Sequence, residues 1–147
     1  MTLLLRRAYL ADLIWQALTA NAHGVGHRTI ADRHQVPAST VRGWLRRISC
    51  RLEPVRTWFL GIAVRVGVDP VIPKATGSPL ADTLAAVAAA TAATTGRFGS
   101  EGMLGPLTAA AMATASSAGR LLSPGWPPAS VAVGATPVAP AAGALGL

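Results

Sequence analysis

The chain has 147 residues with 13 Lys and Arg against 6 Asp and Glu, and its formal net charge of +7 is unevenly distributed. Residues 1–74 hold eleven of the basic side chains and four of the acidic ones and so carry the whole +7, whereas residues 75–147 are neutral and contain 22 alanines. The single cysteine, Cys50, excludes an internal disulfide and a cysteine-cluster metal site, and no apolar stretch is long enough for a membrane span. We therefore predict a cytoplasmic, nucleoid-associated protein with no membrane partner, whose basic half binds a polyanion.

The first predicted helix covers residues 4–22 and carries one apolar stripe. Its apolar side chains recur at spacings of three and four residues, the pattern of an amphipathic helix, and they are Leu10, Leu13, Ile14, Ala17 and Leu18. Gly24 and Gly26 follow, and glycine readily takes the positive φ at which helices end.

Two further helices are predicted over about residues 28–35 and 38–52, with Val36 and Pro37 between them because proline lacks a donor and disfavours helix at the preceding residue. Ile30 and Ala31 are expected to face inward from the second helix. The third has the clearest helical period in the chain, and its predicted inward side chains are Val41, Trp44, Leu45, Ile48 and Leu52. That phase leaves Arg42, Arg46 and Ser49 on one outward stripe, with Arg47 and Arg51 along another flank.

The remaining chain is predicted to lose pattern gradually. Pro54 should stop the third helix and open a fourth, whose apolar stripe is Val55, Trp58, Phe59, Ile62, Ala63 and Val66. Farther on, a helix with a thin stripe (Leu80, Leu84, Val87 and Thr91) should end at Gly96, and another should run from Gly105-Pro106 to Gly119. From Ser123 onward nine of 25 residues are Pro or Gly, which is typical of disorder.

These elements predict an all-α fold: a trihelical helix-turn-helix core with a fourth packed helix, then an alanine-rich, weakly helical region and a disordered tail. The predicted divisions are residues 1–70, 71–122 and 123–147. In a helix-turn-helix the second helix of the motif lies in the DNA major groove, so double-stranded DNA is the expected partner. A domain of about 70 residues is near the lower limit for a self-sufficient core, and a homodimer or packing by residues 79–122 would relieve this.

Nine side chains are predicted to contact DNA. Ser39 and Thr40 can donate to phosphate or bases near the helix N-terminus, where the helix dipole favours phosphate. Arg42 and Arg46 lie one turn apart and can reach guanine O6 and N7 or phosphates. The full predicted set is Arg28, Ser39, Thr40, Arg42, Arg46, Arg47, Ser49, Arg51 and Arg56. The alternative is a helical hairpin whose solvated arginine face serves packing or protein contact.

Residues 6–58 resemble the helix-turn-helix of transposase-type and regulator-type DNA-binding proteins. They are especially similar to actinobacterial helix-turn-helix proteins of unassigned function, in which a core like xxIAxRxxVPxSTVRxWLRR recurs. The matching positions are Ile30-Ala31, Arg33, Val36-Pro37, Ser39-Thr40-Val41-Arg42 and Trp44-Leu45-Arg46-Arg47. The resemblance covers about a third of the chain and implies DNA binding, as a transcriptional regulator or mobile-element accessory protein.

Two departures from that resemblance bear on structure. His34 and Gln35 stand where the turn usually has an aliphatic residue followed by Gly. Such proteins often begin with a cysteine-rich segment that could bind zinc. The residues before the motif in this chain contain no cysteine.

The sequence does not predict an enzyme. Its six acids show no paired spacing for two metals, and neither a glycine-rich phosphate loop nor a nucleophile elbow is present. His23 and His27 are separated by glycines and have no third ligand nearby, so we predict no metal, no cofactor and no small-molecule ligand. Two alternative functions stay open: a non-catalytic DNA-binding fragment of a transposase, and an interaction module that uses its basic face on acidic proteins or anionic lipid.

Overall fold

The computed structural model describes residues 2–99, 101–102 and 105–128. Side-chain environments are described for residues 9–99 and 107–128. Within these ranges the chain is helical, as predicted, apart from two antiparallel strands of two residues each. The elements are α1 (Thr2–Ala22), α2 (His27–His34), α3 (Ala38–Ser49), α4 (Leu52–Val66), α5 (Pro79–Phe98), β1 (Glu101–Gly102), β2 (Gly105–Pro106) and α6 (Ala109–Ser116). None of the described helices combines the length and apolar character needed to cross a bilayer.

The first three helices pack around a cluster of buried side chains, here called the N-terminal cluster. It consists of Leu13 and Ala17 from α1, Ile30 and Ala31 from α2, and Val41 and Trp44 from α3. The predicted inward positions of α2 are confirmed, since both are almost completely buried. Leu10 is the exception in the predicted α1 stripe, because it is 47% exposed.

The turn between α2 and α3 uses a left-handed residue at the position where glycine was expected. Gln35 has φ 52° and ψ 43°. The amide of Val36 donates to the carbonyl of Ala31 at 3.1 Å, the long-range bond of a Schellman motif. Val36 then packs against the N-terminal cluster. Gln35 thus adopts the left-handed conformation that glycine takes readily, and its Cβ makes that conformation strained.

The third helix ends earlier than the sequence pattern predicts. It stops at Ser49, and Arg51 leaves helical geometry with φ −139° and ψ 21°, so Leu52 begins α4 and does not extend α3. Pro54 explains the break, since in a continuous helix its ring would clash with the carbonyl of Cys50. After the break, Pro54 lies in the first turn of α4, where no amide donor is needed.

Among the described residues, the most extensive helix pairing joins α4 to α5, and α5 contributes mainly small residues to it. Val55, Phe59 and Ala63 from α4 belong to a second buried cluster, the central cluster, together with Ala86, Val87 and Ala90 from α5. Leu18, Ile48, Met112, Ala113 and Trp126 complete it.

The buried face of α5 differs from the predicted stripe. Thr83, Ala86, Val87 and Ala90 are buried, while Leu80 and Leu84 lie at the margin. Alanine supplies little apolar area, but it lets two helix backbones approach closely. A prediction based on the spacing of large apolar side chains cannot detect such a face. The division predicted at residue 70 therefore falls between two helices that share one core. As a boundary between independently folding units it stays a prediction.

The starts of α5 and α6 are fixed by hydroxyl caps. Ser78 and Thr108 accept hydrogen bonds from the amides of Ala81 and Ala111, at 3.5 Å and 3.1 Å. The predicted helix start at Gly105-Pro106 is therefore wrong: those residues form β2, and the cap at Thr108 begins α6.

Near the start of α5, the amide and hydroxyl of Thr76 both donate to Asp82 Oδ1 at 2.7 Å, which lowers the pKa of Asp82.

Within residues 123–128, predicted as the start of a disordered tail, Trp126 packs on the core. The Trp126 ring is 7% exposed and meets Trp58 edge to face, with ring centroids 5.7 Å apart, and it lies 6.1 Å from Phe59. Composition alone missed this because a single aromatic side chain outweighs the surrounding Pro and Gly once it is buried. The rest of the predicted tail, residues 129–147, lies outside the described residues.

Candidate nucleic-acid interface

The third helix has two opposite faces. Val41, Trp44 and Ile48 are buried against the core, so the side of α3 turned away from them is held outward rigidly. Arg42 and Arg46 lie on that outward side and are exposed, one turn apart and about 40° from each other around the helix axis. The sequence predicts both faces correctly, because large apolar side chains mark the inward phase.

Side chains of α2 and α3 together line a shallow groove of about 350 Å³, here called the arginine groove. Its lining is His27, Arg28, Ala38, Ser39, Arg42, Gly43 and Arg46. Three of these side chains are arginines from two different helices, and no Asp or Glu is among them. A concave surface with three guanidinium groups attracts anions, and its planar donors suit phosphate and the edge of guanine.

The N-terminus of α3 opens into the same groove. Pro37 occupies the N-cap position and supplies no side-chain acceptor, and its carbonyl accepts from the amides of Thr40 and Val41. Ala38 and Ser39, which line the groove, are the first two residues of the helix. The positive end of the helix dipole therefore adds to the charge of the arginines. Thr40 is half-buried, so it is less available than the exposed Ser39.

Arg51 makes its hydrogen bonds within the protein. Its Nη1 donates to the carbonyl of Trp126 at 2.7 Å and also to the carbonyl of Ser123. Its Nε and Nη2 donate to the carbonyl of Arg47 at 3.2 Å and 3.0 Å. Arg51 thus joins the end of α3 to the segment that carries Trp126, a link no local pattern could predict because the two positions are 75 residues apart.

The other predicted contact residues lie outside the groove. Arg47 is exposed on the flank of α3, and Ser49 donates to the carbonyl of Arg46 at 2.9 Å. Arg56, on α4, pairs with Glu53 at 3.3 Å. That is the one ion pair within the described ranges, so the guanidiniums of the arginine groove have no carboxylate partner there.

Gly43 lines the groove, although the sequence pattern did not predict it as a contact residue. Gly43 lies in the middle of α3 among the arginines. The signal was visible, since an isolated glycine inside a strongly helical pattern costs about 1 kcal/mol relative to alanine. Across the described residues, no three His, Cys, Asp or Glu side chains come together as a metal site would require.

Comparisons with known proteins found no family, no curated protein and no solved structure that matches this chain.

Proposed function

We propose that this protein binds double-stranded DNA, with α2 and α3 acting as a helix-turn-helix and α3 as its recognition helix. The biological role we propose is that of a transcriptional regulator or a mobile-element accessory protein. The observation that carries the proposal is the convergence of Arg28, Arg42 and Arg46 on one groove, without acidic neighbours, beside a helix whose opposite face is buried.

The roles of the side chains follow from their positions. Arg42 and Arg46 project from the middle of α3, where a helix inserted in the major groove meets base edges. A guanidinium can donate two parallel hydrogen bonds to guanine O6 and N7. Arg28, at the start of α2, and Ser39, at the start of α3, are placed for phosphate, because both flank helix N-termini.

The α2–α3 turn and the N-terminal cluster support this proposal mechanically. Val36 and Ala31 bring the two helices together, and Trp44 fixes the rotation of α3 about its axis. Recognition requires side chains held within a fraction of an ångström, which a packed inward face provides. We propose that Arg51 contributes at a distance, by holding the end of α3 against the Trp126 segment.

The test is the salt dependence of binding by the full chain to a duplex selected from a random pool. If the exposed arginines of α2 and α3 that were predicted to contact DNA (Arg28, Arg42, Arg46 and Arg47) neutralise phosphates, the logarithm of the association constant should fall against the logarithm of the salt concentration with a slope of roughly −3 to −4. Vesicles containing phosphatidylserine and a poly-glutamate peptide serve as competing polyanions in the same assay. A slope near zero, or tighter binding to the vesicles or peptide than to any duplex, would contradict the proposal.

A further inference from the structure

The arginine groove contains a glycine that the fold itself does not require. Gly43 lies within α3 and keeps ordinary helical geometry, and a Cβ at this position would have no heavy atom within 4 Å. Neither backbone conformation nor packing inside the chain accounts for it. Glycine in the interior of a helix is nevertheless less stable than alanine by about 1 kcal/mol.

The position of Gly43 on the helix surface is specific. Ser39, Gly43 and Arg46 follow the i, i+4, i+7 spacing, so they form one stripe on the outward face. Arg42 and, from α2, Arg28 line the same groove. Small residues (Ala38, Ser39 and Gly43) thus line the groove together with three arginines, and at Gly43 no side chain covers the helix backbone.

We propose that Gly43 is where DNA comes closest to the backbone of α3, and that a side chain there would hold the duplex away from the arginines. This inference rests on the proposed DNA binding and adds to it a positioning residue that carries no charge. A methyl group at Gly43 would displace the bound strand, so that Arg42 and Arg46 reach their partners less well. The loss would therefore come from distance and not from missing donors.

The experiment compares Gly43→Ala with Gly96→Ala in the full chain. Gly96 is a matched control because it also lies in a helix, α5, with no heavy atom within 4 Å of a Cβ and outside the arginine groove. Thermal unfolding is followed by circular dichroism, and affinity by fluorescence anisotropy on the duplex that wild-type protein selects from a random pool. Gly43→Leu is added as a larger obstruction.

We expect both alanine variants to melt at or above the wild-type temperature, because both improve helix propensity. Gly43→Ala should bind the selected duplex about tenfold more weakly, the size of one weakened base contact, while Gly96→Ala binds as wild type does. Gly43→Leu should bind more weakly still.

Unchanged affinity of Gly43→Ala would overturn the inference and leave the proposed function standing. A Gly43→Ala chain that melts below wild type would also overturn it, because the fold would then need the glycine. If wild-type protein binds no duplex even at low salt, the proposed function fails and the inference fails with it. The two failures are thus distinguished by the wild-type arm alone.

Discussion

Two helix pairs in this chain bury side chains of different size. The α2–α3 pair buries large side chains such as Ile30, Val41 and Trp44, and it exposes arginines on the other side. The α4–α5 pair makes the more extensive contact, yet α5 contributes mainly Ala86, Val87 and Ala90 to it. The first pair could be predicted from the sequence because its inward side chains are large. The second could not, although it forms a large part of the central cluster.

Removal of α5 and α6 is expected to have the largest effect on the fold. A chain of residues 1–74 lacks α5 and α6 and exposes Phe59 and Ala63 to water. We expect it to lose cooperative thermal unfolding by circular dichroism, because a domain this small has only a marginal core. The division predicted at residue 70 leads to the opposite expectation, so a sharp melt of residues 1–74 would support that division and contradict the shared core.

The next largest effect is expected within the N-terminal cluster. Trp44→Ala should reduce the free energy of unfolding by about 3–5 kcal/mol, the range for deleting a buried large aromatic side chain. The Trp44 ring is 8% exposed and sets the inward phase of α3. Denaturant titration measures the change. A loss below about 1 kcal/mol would mean that α3 is rotated from the observed phase.

A larger side chain at Ala90 tests whether the α4–α5 contact requires small residues on α5. Ala90→Leu should reduce the free energy of unfolding by about 1–3 kcal/mol, because Ala90 is fully buried and an enlarged side chain would separate α4 from α5. Ala92→Leu on the exposed side of the same helix is the control and should change stability little. A small change in the free energy of unfolding for Ala90→Leu, like that expected for the control, would show that the α4–α5 contact tolerates a larger side chain.

The smallest expected effect concerns the turn. Gln35→Gly should raise the free energy of unfolding by about 1 kcal/mol, because glycine takes the left-handed conformation without the strain of a Cβ. Gln16→Gly, at an exposed position inside α1, is the control of opposite sign and should lower it by a similar amount. A destabilised Gln35→Gly chain would show that the turn does not need positive φ.

The parts of this fold that could be predicted share one property: their signal is local and large. The period of Val41, Trp44 and Ile48 places both faces of α3, and Val36-Pro37 places the turn before it. The end of α3 was missed because Leu52 continues the apolar period by coincidence, while the effect of Pro54 acts on a carbonyl four residues earlier.

The parts that could not be predicted depend on distant partners. The buried face of α5 is defined by what packs on it, and alanine has no period of its own to show. Arg51 was assigned to DNA with the other arginines, but its hydrogen bonds reach the Trp126 segment, which the sequence presents as a Pro- and Gly-rich tail. For the candidate site, the sequence predicted the positive charge and the outward face of α3. It could not predict the groove that brings Arg28 together with α3, because that groove depends on how α2 packs against α3.

The most direct test of the DNA-binding account compares two double variants that each remove two positive charges. The first double variant, Arg42→Ala with Arg46→Ala, removes two exposed arginines from the outward face of α3. The second, Arg65→Ala with Arg97→Ala, removes exposed arginines of α4 and α5. Affinity is measured for a selected duplex and for random duplex. We expect the first pair to reduce discrimination between the two DNAs by about 1–3 kcal/mol for each lost bidentate contact, and the second pair to leave discrimination unchanged. Equal weakening of both DNAs by both pairs would contradict the assignment of α3 as a recognition helix and would leave only a non-specific basic surface.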